Sequence, residues 1–112
     1  MQNKLLEDKL QRECYAYFHN NYPTLRGLLH HADLNQSNQI AGNLSKLKGS
    51  QAGRPDFELN YKGKTYFAEL KLPHTNPSPV QVKYHKLLQE HGFDTVIVRS
   101  VEEFKAWIGS IV

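Results

Sequence analysis

Two short runs, Asp56 to Tyr61 and Thr65 to Leu72, meet across Lys62-Gly63, and this junction constrains the fold more than any other feature of the chain. Glycine supplies the positive φ that a tight hairpin turn needs. With Lys62-Gly63 as a two-residue loop, Tyr61 pairs with Lys64, and counting outward sets Asp56 opposite Glu69. Side chains alternate along a strand, so Asp56, Glu69 and Lys71 share one face while Phe57, Leu59, Tyr61, Tyr66, Ala68 and Leu70 share the other. The apolar face reads as core and the acidic face as a site. Like charges directly opposed destabilise a sheet, so the pair asks for a divalent cation or a nearby ammonium, and Lys71 supplies the latter. A hard cation such as Mg²⁺ takes few carboxylates, keeps several waters and leaves positions for a phosphate oxygen, so two acids plus a backbone carbonyl suit it. The plainer reading is a solvated hairpin on which Glu-x-Lys faces water and Asp56 merely starts a strand after Pro55.

Other elements follow from periodicity. From Asn3 to about Asn21, Leu6, Leu10, Cys14, Tyr17 and Phe18 recur at helical steps, and Pro23 marks the exit. Leu25 to His31 suits a strand, Asp33 to Ser37 a loop, and about Asn38 to Lys48 a second helix carrying Ile40, Leu44 and Leu47 and ending at Gly49. Three prolines between Pro73 and Pro79 exclude an internal strand or helix. They lead to a strong helix start, with Ser78 as N-cap, Pro79 in the first turn and Gln81 three residues after the cap. That helix runs to Gly92 with Val80, Tyr84, Leu87 and Leu88 expected on its inner face. Thr95 to Val98 reads as a strand and Glu102 to Ile111 as a last helix with Phe104, Trp107, Ile108 and Ile111. The order α-β-α-β-β-α-β-α implies an α/β fold, a mixed sheet flanked by helices, in which the strand before the Gln81 helix is the parallel neighbour of the strand after it.

At 112 residues with 39% hydrophobic content, the chain is expected to form one domain, 1–112, with a core of its own. Fourteen Lys plus Arg against eleven Asp plus Glu give only +3, which permits a nucleic-acid partner without demanding one. Cys14 is the only cysteine, excluding an internal disulfide or a multi-thiolate zinc site, and no apolar run is long enough for a signal peptide or membrane span. A soluble, cytoplasmic protein with no membrane partner is expected. The six histidines show no pair at metal-ligand spacing on one helix face and read mostly as surface or packing residues, with one of His30 or His31 able to face the site.

Gly53-Arg54-Pro55-Asp56, then Glu69-Leu70-Lys71, then Gln81 on a following helix with Gly92 at its end, resemble the VRR-NUC branch of the PD-(D/E)xK nuclease superfamily, from the first helix to the last strand. The resemblance implies a restriction-endonuclease-like fold. It also implies Asp56 and Glu69 as metal ligands, the carbonyl of Leu70 as a further ligand, and Lys71 orienting or activating the attacking water. An acidic residue on the first helix is implied too, a role open to Glu13, which lies beside Leu6, Leu10 and Tyr17 at the border of the buried face; a plain rim position fits it equally. Gln81 has two readings, a helix cap through its amide and an auxiliary residue near Lys71.

The activity these expectations describe is Mg²⁺-dependent hydrolysis of DNA phosphodiesters, with Mn²⁺ able to substitute and with phosphate contacts from Arg54, Lys46 and Lys48. Small freestanding members of the family resemble Holliday junction resolvases acting as homodimers, which implies branched DNA as substrate. Tyr15, Trp107, Ile108 and Ile111 offer interface material, with core packing the stronger reading for Trp107. A flap, nick or restriction-like repair endonuclease is the alternative enzyme, and an inert DNA-binding scaffold the alternative from another class.

Overall fold

The computed structural model describes residues 2–31, 49 and 51–112. They form α1 (Gln2–Asn21), a 3-10 turn (Pro23–Leu25), β1 (Leu29–His31), β2 (Phe57–Tyr61), β3 (Lys64–Leu70), α2 (Pro79–Glu90), β4 (Asp94–Val98) and α3 (Val101–Ile111). The loop expected over Asp33 to Ser37 and the helix expected from Asn38 to Lys48 lie outside the described residues. Strand pairing before His31 is shorter than expected, because Pro23 starts a 3-10 turn.

The hairpin forms in the expected register. Lys62 and Gly63 both adopt positive φ, 48° and 81°, the signature of the turn that matches strand twist. Antiparallel pairing runs from Tyr61↔Lys64 out to Phe57↔Ala68, and Asp56 and Glu69 stand one step beyond. The sheet order is β1-β2-β3-β4, with β4 parallel to β3, so α2 is the crossover between parallel neighbours.

One face of this sheet carries the core. Phe57, Leu59, Ala68, Leu70 and Val98 pack there against Leu10, Cys14 and Phe18 of α1 and Phe104 and Ile108 of α3. Phe18, Phe57 and Phe104 are fully buried, each stabilising the fold by about 1.5–3 kcal/mol. The buried stripe of α1 begins at Leu10, leaving Leu6 exposed. Ile108 is fully buried and so belongs to the core, while Trp107 and Ile111 are half-buried and pack against the same cluster. Tyr15 is exposed.

The other face lies under α2, whose orientation differs from the apolar expectation. Of the four apolar residues expected inside, Tyr84 and Leu88 are half-buried but Val80 and Leu87 are exposed, while His85 is buried against Glu69. A carboxylate beneath the helix draws its hydrogen-bonding stripe inward, because a buried polar group without partners is costly. No helix among the described residues is long and apolar enough to cross a membrane.

Candidate active site

The segment before β2 brings Asp56 to the site. Gly53 has φ +83°, and a Cβ there would stand 2.6 Å from the carbonyl oxygen of Val80, so only glycine lets this loop lie on the first turn of α2. Pro55 is fully buried. Asp56 is then held by the neighbouring strand: the Leu70 backbone N–H donates to its Oδ2 at 2.7 Å.

Glu69 is 1% exposed, an unusual position for an acid. Its Oε1 is 3.1 Å from Nε2 of His85, and its Oε2 accepts from Nε2 of Gln81 at 3.2 Å. Burial first, then a hydrogen bond with Asp56 and the Asp56 charge, push its carboxyl up to about 9, with Lys71 opposing. Burial lowers the His85 pKa against the pull of Asp56, and Lys71 lowers it further.

Gln81 caps its helix, as one of the two readings has it, and its amide also reaches the acid pair, at Glu69 rather than at Lys71. Its Oε1 accepts from the Ser78 backbone N–H at 2.8 Å, its own N–H donates to Ser78 Oγ, and its amide nitrogen reaches Glu69. The capping box thereby aims the donor. The loop from Leu72 to Ser78 that delivers this cap is tied down by Arg99, whose Nη1 donates to the carbonyls of Leu72 and Thr75 at 2.8 and 2.6 Å.

Lys71 lies close enough to act electrostatically on Glu69, His85 and Glu7. The last of these was not singled out from sequence. Burial raises the Glu7 pKa, Lys71 opposes it, and Asp56 and Asp8 reinforce it, so Glu7 is the α1 acid that shares the cleft with Asp56 and feels its charge. Glu13 is instead paired with Lys9 on an exposed surface. At ~100° per residue, Glu7 and Glu13 flank Leu10 by about 60° on opposite sides, so Glu13 sits on the border away from the site. A cleft runs along the Glu7 side of α1, lined also by Asp56, Gln81, Tyr15, His31 and Arg54.

Arg54 is bonded to Glu58, which occupies part of the guanidinium expected to meet phosphate. Lys46 and Lys48 lie outside the described residues. His31 lines the cleft, whereas His85, one of the histidines expected at the surface or in packing, contacts Glu69 directly. A signal for His85 existed: it lies one helical turn after Gln81 and shares its face. Among the described residues no group of three or more His, Cys, Asp or Glu side chains is arranged to hold a metal ion, so the candidate ligands are two carboxylates and backbone oxygen.

A solved structure described as a VRR_NUC domain protein superposes with a TM-score of 0.76 at 18% identity, covering 95% of this chain and 87% of that one. The two share a fold. No family model and no curated protein matches the sequence. The mixed sheet flanked by helices expected from the motif order is therefore the fold found.

Proposed function

We propose that this chain is a metal-dependent nuclease that hydrolyses DNA phosphodiester bonds. The observation that carries the reading is the placement of Asp56 and a buried Glu69 one step beyond the last pair of the hairpin, with Asp56 held by the Leu70 N–H, in a chain with the fold of a VRR_NUC domain protein. Two acids forced together must share a proton or a cation. Asp56 lines an open cleft, so a hydrated cation and a phosphate have access. The donors fit Mg²⁺, or Mn²⁺ in its place: carboxylate oxygens of Asp56 and Glu69, with the Leu70 carbonyl offered on the same edge as the Leu70 N–H that meets Asp56.

A divalent cation held there supplies Lewis-acid polarisation of the phosphate and acidification of a water. Lys71 contributes a fixed positive charge beside the acid pair, where it orients the attacking water and offsets charge building on the phosphate. Gln81 fixes Glu69 from α2 and Glu7 closes the α1 side, taking the place first given to Glu13. Arg54 meets the DNA backbone only if it exchanges Glu58 for phosphate, and Lys46 and Lys48 complete the proposed backbone contacts.

The substrate in this reading is branched DNA, a four-way junction cut by a homodimer whose two-fold axis supplies two symmetric sites. The test offers four-way junctions, flaps, nicked duplex and linear duplex side by side with Mg²⁺ and with EDTA, alongside light scattering. Mg²⁺-dependent junction cutting by a particle of twice the 12.9 kDa chain mass is expected. A monomer that cuts flaps or linear duplex equally well removes the resolvase reading, and absence of metal-dependent cutting on every substrate removes the nuclease.

A further inference from the structure

We propose that His85 is a positioning residue that, together with Gln81, locks the Glu69 carboxylate and thereby sets the divalent-cation affinity of the site; this rests on the nuclease reading. A glutamate carboxylate turns about a broad terminal torsion, so one hydrogen bond leaves it mobile. Besides its bond with the Asp56 carboxyl, which a cation would replace, Glu69 has one α2 partner on each oxygen: Oε1 meets His85 Nε2 at 3.1 Å and Oε2 meets Gln81 Nε2 at 3.2 Å. Both partners come from α2, four residues apart on one face, so a single rigid element carries both donors. Each oxygen uses one lone pair on its donor and keeps another for a cation.

Packing alone does not account for histidine at this position. The ring is buried, at 8% exposure, where an apolar side chain would fill the space with no polar group to satisfy. With a carboxylate as acceptor, the imidazole donates from Nε2–H. Hydrogen-bond partners that orient a metal ligand change metal affinity by about 10–100-fold when removed.

The test measures Mn²⁺ binding to the 112-residue chain by the electron paramagnetic resonance signal of the free ion, alongside urea unfolding. His85→Leu keeps bulk and loses the donor; His85→Asn keeps an amide too short to reach Glu69; His85→Gln restores a donor at comparable reach. Expected are a ~10–100-fold loss of Mn²⁺ affinity in the first two and recovery of most of it in His85→Gln. A folded His85→Leu or His85→Asn chain that binds Mn²⁺ as tightly as the unsubstituted chain overturns the proposal, as does a His85→Gln chain no better than His85→Leu. An unsubstituted chain that takes up no Mn²⁺ removes the metal-dependent reading itself, and the proposal with it.

Discussion

The Leu70 backbone N–H donates to Oδ2 of Asp56 at 2.7 Å, which ties the acid before β2 to the strand between Glu69 and Lys71. An asparagine at 56 can accept the same bond through its amide oxygen. Asp56→Asn is therefore expected to keep the fold, with unfolding free energy within about 1 kcal/mol of the original. Its cleavage rate should fall by at least ~100-fold, since even partners that only orient a metal ligand are worth ~10–100-fold. Urea unfolding and single-turnover cleavage on the same preparation check the two halves separately.

Glu69 links stability to pH. Its folded pKa is about 9 against an ordinary 4.5, so the fold favours the protonated acid. That contribution is fully present below the ordinary value and is lost as pH rises through the folded value. The lowered His85 pKa works oppositely, through stability lost on acidification, so it drops out above its ordinary range. In EDTA, the urea midpoint is expected to fall between pH 7 and 8.5, and saturating Mg²⁺ should flatten that slope by binding the ionised pair. A midpoint in EDTA that is constant or rising over this interval contradicts the assignment.

Gly53→Ala places a side chain at φ +83° and a Cβ 2.6 Å from the Val80 carbonyl oxygen. The strained backbone alone costs about 1–3 kcal/mol. Because the loop must lift from α2 to relieve the contact, Asp56 moves with it, so activity should drop along with stability. Equilibrium unfolding and cleavage assays on the variant test both.

Cys14 is fully buried, and burial pushes its thiol up to about 12. The thiolate is the reactive form, so the native chain should resist a disulfide reagent at pH 8 and react promptly in urea. Rapid labelling under native conditions would show that α1 separates readily from the sheet.

What was legible in the sequence was local. Lys62-Gly63 set the hairpin register, and Ser78-Pro79-Val80-Gln81 set the start of α2, because both depend on residues a few positions apart. The Asp56 and Glu69 contact followed from that register. Glu7 was not legible in the same way: Glu7 and Glu13 both border the buried stripe, and only the course of the 51–56 loop decides which border faces the acids. His85 is hidden in the sequence because Val80, Tyr84, Leu87 and Leu88 read as an apolar inner face for α2, whereas the buried Glu69 turns the Gln81 and His85 stripe inward. The spacing of those two residues held the information, but using it required knowing that an acid lay beneath the helix.

Every role proposed for this site depends on Asp56 and Glu69 holding a divalent cation together. A crystal structure of the chain soaked in CaCl₂ tests it most directly, because calcium occupies such sites without driving rapid turnover. The expected result is one ion between the two carboxylates, with ligand distances of about 2.4 Å and the Leu70 carbonyl among the ligands. A saturating soak that leaves no ion between Asp56 and Glu69, or that seats it elsewhere, contradicts this role for the pair.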